Sequence, residues 1–298
     1  MRKRSLKPLG KVLTYFMKVG FSVFILYVVL SRMDLPLLAA SIRQLPLWLP
    51  FALLGLSCVR HFIQLNNWRC SLHLNPLYRD NWRELISSYL VAQPLRFLIP
   101  GGHASLAKVY YLQNSSRLAS LVSTLVERLF MTWATWSFAA IAAFSYFPSL
   151  SLPLRLFLML FTSFMPVIAL LVLTLVPKWQ DYVDFYVAEA PKMMLLQIGN
   201  TLIMYLQYYL VLNRLGVISL VDTYIGMALT NISNSIPITI SGLGLREGFA
   251  VIFLNGFGFG AEQAVAATLT IFLFQDCVPA LVGLYFLITG KRLEIPEV

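Results

Sequence analysis

Apolar residues in this chain gather into runs of membrane-spanning length, and short polar stretches between them hold most of the charge. Residues 12–30 form the first run, preceded by Arg2, Lys3, Arg4, Lys7 and Lys11 and interrupted only by Lys18. The run is long enough to span, and Ser31-Arg32-Met33-Asp34 offers no small-residue cleavage site, so it reads as an uncleaved anchor with a cytoplasmic N-terminus. Residues 35–45 predict a short amphipathic surface helix, and 47–65 a return crossing. A polar segment follows, with Arg69, Arg79, Asp80 and Arg83, in which Trp68 and Trp82 suit the headgroup level.

Residues 84–100 are apolar but carry Gln93, Pro94 and Arg96, and they end in Pro100-Gly101-Gly102-His103. The next apolar arm, 104–112, would reach only about 14 Å as a helix, roughly half the hydrocarbon thickness, which predicts a re-entrant hairpin. Residues 118–147 form a long span holding Glu127 and Arg128, and 154–176 return after a short turn. A polar loop is expected over 177–191, then a crossing at 193–212. Residues 222–259 are broken by Pro237, Gly242, Gly244 and Gly248, with Arg246-Glu247 inside the break. A last span, 261–289, carries Gln275 and Asp276 near its middle and leads to Lys291-Arg292.

These runs predict an all-α polytopic membrane protein with about six full spans and two glycine-broken re-entrant hairpins. One membrane domain is expected over 1–298. Residues 84–147 and 221–289 repeat one order of features: apolar arm, glycine break, short arm, polar linker, long helix with a charged middle. Entered from opposite sides, they have the arrangement of inverted-repeat halves, which set a site between broken helices.

Composition agrees: hydrophobic residues make up 58% and charged residues 12%, and the mean hydropathy of +0.73 excludes an ordinary soluble domain. The formal charge of +10 does not imply nucleic acid, because the basic residues sit at helix ends and in short loops, as positive-inside topology requires. That rule places both termini in the cytoplasm and fits a bacterial inner membrane. Cys58, Cys70 and Cys277 have no pairing or metal spacing, and no metal or cofactor is expected.

The candidate chemistry lies at the breaks. An ionisable residue at membrane depth is costly unless it faces protein, water or a partner. Helix restarting near Leu245 would turn free N–H groups and Arg246 toward an anion, for which a lipid phosphate is the available source. The substrate-binding candidates are Gly242, Gly244, Arg246, Glu247, Glu127, Arg128, Lys108, Gly101 and Gly102. Asp276 is the candidate for a coupling proton, or else compensates a base such as Arg128. No catalytic or nucleotide-phosphate motif is found, so an enzyme is not expected.

The run from Pro237 to Gly248, with Pro100-Gly101-Gly102, Lys108 and Val126-Glu127-Arg128-Leu129 before it, resembles the lysylphosphatidylglycerol synthase transmembrane-region family of flippase-like membrane proteins. The resemblance covers nearly the whole chain, and departs at Lys108, where arginine would be expected, and at His103. It implies a lipid or lipid-linked substrate moved between leaflets. Larger members carry a soluble aminoacyl-transferase domain. These 298 residues hold no polar stretch of that length, so aminoacyl transfer is not carried over. The rival expectations are an intramembrane transferase acting on a lipid-linked sugar or headgroup, and an accessory subunit of a lipid or polysaccharide synthase. The expected partners are a membrane lipid, a second copy of the chain, or a lipid-modifying synthase.

Overall fold

The structure, a computed structural model, describes residues 35–98, 103–236, 239 and 242–289, and every regular element among them is helical. The expected span 12–30, the break residues Gly101, Gly102 and Pro237, and Lys291-Arg292 lie outside the described residues.

The helices are α1 (Leu35–Arg43), α2 (Trp48–Leu72), α3 (Trp82–Leu98), α4 (Arg117–Tyr146), α5 (Leu152–Ser163), α6 (Met165–Leu175), α7 (Val183–Leu215), α8 (Leu220–Asn231), α9 (Leu245–Asn255), α10 (Ala261–Phe272) and α11 (Val278–Thr289). Short 3₁₀ helices cover His103–Tyr111, Pro177–Tyr182 and Ile232–Ser235, and a π-helical turn, Leu273–Cys277, joins α10 to α11.

Among the described residues, Trp48–Leu72, Pro177–Leu215 and Ala261–Phe286 are long and apolar enough to cross a membrane. Helices α5 and α6, bent by 57°, would make a fourth as one broken span. The chain is therefore a multi-pass helical membrane protein. That bend divides what reads as one uninterrupted run at 154–176: Pro166 stands in the first turn of α6, where its missing N–H costs no helical bond. The polar stretch 177–191 differs from its expectation as a loop, since all but its first turns lie in α7, with Pro191 inside the helix.

Helix α2 shows how burial positions the polar residues. Leu49, Leu53, Ser57, Arg60, Asn67 and Ser71 are buried at helical spacing, so one stripe turns inward and carries polar groups with it. Helix α7 answers it. Arg60 donates from Nε to Asn200 at 3.2 Å and from Nη1 to Gln207 at 2.9 Å. Gln207 donates to the Leu53 carbonyl at 3.2 Å and to Ser57 at 2.9 Å. Gln64 and Gln197 exchange amide hydrogen bonds, both 3.2 Å. In an apolar surrounding each such group needs its partner, so this ladder fixes the α2–α7 register.

Trp68, expected at the headgroup level, is instead fully buried, and its indole N–H donates to Ser88 Oγ at 3.1 Å. Helix α2 continues through it because Trp68, Leu72, Leu85, Tyr89 and Leu112 form one core cluster. Trp82 is 45% exposed. The end of α2 is tied down by Arg69, which pairs with Asp80, while His73 stands 3.2 Å from Asp80 and 3.2 Å from Glu189 of α7.

Helix α3 lies against both the 3₁₀ helix His103–Tyr111 and α11. The approach to α11 is close: a Cβ on Gly283 would stand 2.2 Å from the Leu90 carbonyl oxygen and 2.6 Å from Pro94 Cδ. Pro94 lies inside α3 and cannot donate the N–H that would cover Leu90, four residues before it. The bare carbonyl and the bare Cα fit together.

Candidate functional site

The second break is built by backbone geometry. Gly242 and Gly244 have φ of 78° and 83°, a region closed to most side chains, and a Cβ on Gly242 would meet Asn234 Oδ1 at 2.7 Å. The chain turns there and restarts as α9. Gly244 N–H donates to Glu247 Oε2 at 2.6 Å, and Glu247 Oε1 lies 3.3 Å from both Arg246 Nε and Nη2. One carboxylate thus caps the helix and holds one edge of the guanidinium. The Gly244 amide, expected to face an anion, is committed internally. Glu247 is 0% exposed and Arg246 5%, with the Phe272 ring 5.0 Å from the guanidinium carbon.

The other edge of Arg246 faces the π turn. Nη1 stands 3.7 Å from Asp276 Oδ2, and on the opposite side of that carboxylate Arg96 Nη1 of α3 stands 3.7 Å from Oδ1. Asp276 therefore lies between a cation from each broken region, near enough for Coulomb attraction and too far for hydrogen bonds. Its placement has a local cause: Pro279, four residues after Gln275, cannot cover the Gln275 carbonyl, and the helix widens. His61 fills the gap. Its Nε2 lies 3.1 Å from that carbonyl and its Nδ1 2.7 Å from Tyr89 Oη. A carbonyl only accepts, so Nε2 donates to it and Nδ1 accepts from the tyrosine hydroxyl. The imidazole is thereby committed to tying α2, α3 and the π turn together.

The first region has its own pair. Lys108 Nζ, in the 3₁₀ helix, donates to both oxygens of Glu127 on α4 at 2.7 Å. These side chains are 6% and 2% exposed. The ammonium also lies over the Trp68 ring at 4.5 Å and the Tyr89 ring at 5.4 Å, a cation–π enclosure. Glu127 is turned inward because it continues the buried α4 stripe of Ser120, Ser123 and Thr124, small residues that admit close neighbours. Arg128, one residue on, is half-buried and is drawn by the Glu127 charge.

The structure thus joins Arg246, Glu247 and Asp276 in one group and Lys108 with Glu127 in another. Asp276, weighed in sequence as a counter-charge for Arg128, neighbours Arg246 and Arg96. Sequence reasoning missed Arg60, His61, Tyr89 and Arg96 as members. Arg60 and Arg96 carried the usable signal, being charges inside apolar runs; His61 and Tyr89 gave none. Tyr89 connects the groups, with its ring toward Lys108 and its hydroxyl on His61. Arg96 acts electrostatically on Arg60, Lys108 and Arg128. Among the described residues, Arg60, Arg96, Lys108, Arg128 and Arg246 thus gather around Glu127, Glu247 and Asp276. Fixed cations grouped in this way are suited to an anionic ligand.

The family model described as Lysylphosphatidylglycerol synthase TM region matches residues 15–283. No curated protein and no solved structure matches the chain.

Proposed function

The chain belongs to the lysylphosphatidylglycerol synthase transmembrane-region family, and from that premise we propose that it binds a phosphate-bearing lipid headgroup inside the membrane and moves it between leaflets. The observation that carries this reading is Asp276 held between Arg96 and Arg246, a charged group at the middle of a helix otherwise apolar enough to span. A headgroup crosses hydrocarbon cheaply only if fixed polar groups replace its water. Arg246, Arg96, Arg60 and the Lys108–Glu127 pair are the replacement, while the acyl chains remain in lipid.

In this reading the two broken regions are re-entrant and are the inverted halves of one site. Two correspondences support it. In each region a short helix after the break sends a cation to a carboxylate on the following long helix: Lys108 to Glu127, and Arg246 to Asp276. In each the returning helix packs beside the one that entered, the 3₁₀ helix His103–Tyr111 on α3 and α9 on α8.

The test is reconstitution of the purified chain into vesicles with a fluorescent phospholipid in one leaflet. Labelled lipid appearing in the other leaflet, slowed at least about tenfold by Arg246→Lys, supports the proposal. A chemically altered lipid would indicate an intramembrane transferase instead. Full activity in Arg246→Lys would remove the anion site from the account.

A further inference from the structure

Asp276 makes no hydrogen bond to either arginine beside it, although both face it. Each contact is 3.7 Å, whereas a seated carboxylate–guanidinium pair lies at about 2.7–2.9 Å. Glu247 already holds the Nε and Nη2 edge of Arg246, so the Nη1 edge is directed at the aspartate. Asp276 also rides on a π turn, an irregularity frequent at functional sites in helices. Beside it Gln275 Oε1 is buried without a hydrogen-bond partner among the described residues.

We propose that Arg96 and Arg246 form a phosphate subsite in which Asp276 is the resident anion, a carboxylate that a ligand phosphate displaces. The inference rests on the headgroup-binding reading and adds to it the exchange at Asp276 and its proton. A phosphate presents a pair of oxygens much like the carboxylate's and further oxygens besides, so it can reach both Nη1 groups at hydrogen-bonding distance. Repulsion sets the coupling. A phosphate seated on the two Nη1 groups is a second anion beside the Asp276 carboxylate, and neighbouring like charges disfavour joint ionisation. One proton from solvent therefore adds to an Asp276 oxygen as phosphate enters, and returns to solvent as it leaves.

The groups bearing on that protonation come from every neighbouring helix: Arg60 and His61 from α2, Tyr89 and Arg96 from α3, Tyr208 from α7, Arg246 and Glu247 from α9, and Cys277 from the π turn itself. Asp276 is the carboxylate shared between the two arginines, which makes Asp276→Asn the direct probe.

The experiment is calorimetric titration of the purified full chain in detergent with dihexanoyl phosphatidate and, separately, with inorganic phosphate. Repeating it near pH 5, below the second phosphate ionisation at about 6 so that both probes are monoanions, in buffers of different ionisation enthalpy counts the protons taken up by the protein. Wild type is expected to take up one proton per phosphate bound and to bind more tightly at mildly acidic pH. Asp276→Asn, nearly isosteric, is expected to bind at least about tenfold tighter, without proton uptake and without that pH dependence. Arg96→Gln is expected to weaken binding at least about tenfold. An Asp276→Asn protein that binds no better, or that still takes up a proton, overturns the resident-anion proposal, as does unchanged binding in Arg96→Gln. Either result leaves the headgroup reading standing if Arg246→Lys still weakens binding; if it does not, that reading fails as well. Binding of phosphatidate alone assigns the subsite to a lipid, and equal binding of inorganic phosphate assigns it to a soluble anion.

Discussion

Removing Lys108 while leaving Glu127 in place should be among the most damaging single changes available in this protein. The two side chains are 6% and 2% exposed, and both carboxylate oxygens take their contact from the ammonium at 2.7 Å. At that separation an effective dielectric constant near 20 gives an attraction of roughly 6 kcal/mol before desolvation is charged against it. What a truncation measures is the stranded partner. Lys108→Met keeps the length and volume but leaves the buried Glu127 carboxylate without its cation, and the expected loss is about 3–5 kcal/mol. The double variant Lys108→Met with Glu127→Leu removes both charges and should recover most of that, ending within about 2 kcal/mol of wild type. Thermal unfolding in detergent measures the cycle, followed in a Cys58→Ser background, because Cys58 is exposed, by a thiol-reactive dye reporting on the half-buried Cys70 and Cys277. The single variant should lower the midpoint on the order of 10 °C, taking about 2–4 °C per kcal/mol. A single variant within about 1 kcal/mol of wild type, or a double variant no more stable than the single, refutes the stranded-charge argument.

Gly283→Ala should destabilise by about 1–3 kcal/mol, since the new Cβ meets the Leu90 carbonyl and helix propensity returns only part of that. Gly55→Ala is the matched control, because a Cβ there meets nothing within 4 Å; a gain of up to about 1 kcal/mol is expected from helix propensity. Equal midpoints for the two variants would argue against close α3–α11 packing. Asp80 provides a pH test. The hydrogen bond from Arg69 holds its carboxyl down to about 2, so its contribution is complete above the ordinary aspartate value of about 3.9 and is lost as pH falls through about 2. Asp80→Asn should therefore differ from wild type at neutral pH and converge with it in strong acid. Because the pair is over a third exposed at Asp80, the difference should be under about 1 kcal/mol; a gap that widens on acidification would reverse the assigned sign.

Hydropathy revealed the helical class, the glycine turn at 242–244 and the charged residues worth following, because those signals are local. It could not reveal which charges meet. Arg60 finds Asn200 and Gln207, and Arg96 finds Asp276, only through packing of helices far apart in sequence. Trp68 shows a second limit: indole suits a headgroup layer by type, yet Ser88 and the aromatic cluster beside it make burial the better solution. The bend between α5 and α6 shows a third. An apolar run reports solubility in lipid at every position alike, so it hides where the backbone changes direction, and Pro166 was the one local clue.

The amide exchange between Gln64 and Gln197 has a mechanical consequence. Sliding α2 along α7 by a single turn would strand four hydrogen-bonding groups in hydrocarbon together with the Arg60 and Gln207 contacts, so these two spans must travel as a single rigid plank. Any relative movement of the helices is then borne by the joints around that plank, among them the π turn, the glycine corner and the bend between α5 and α6.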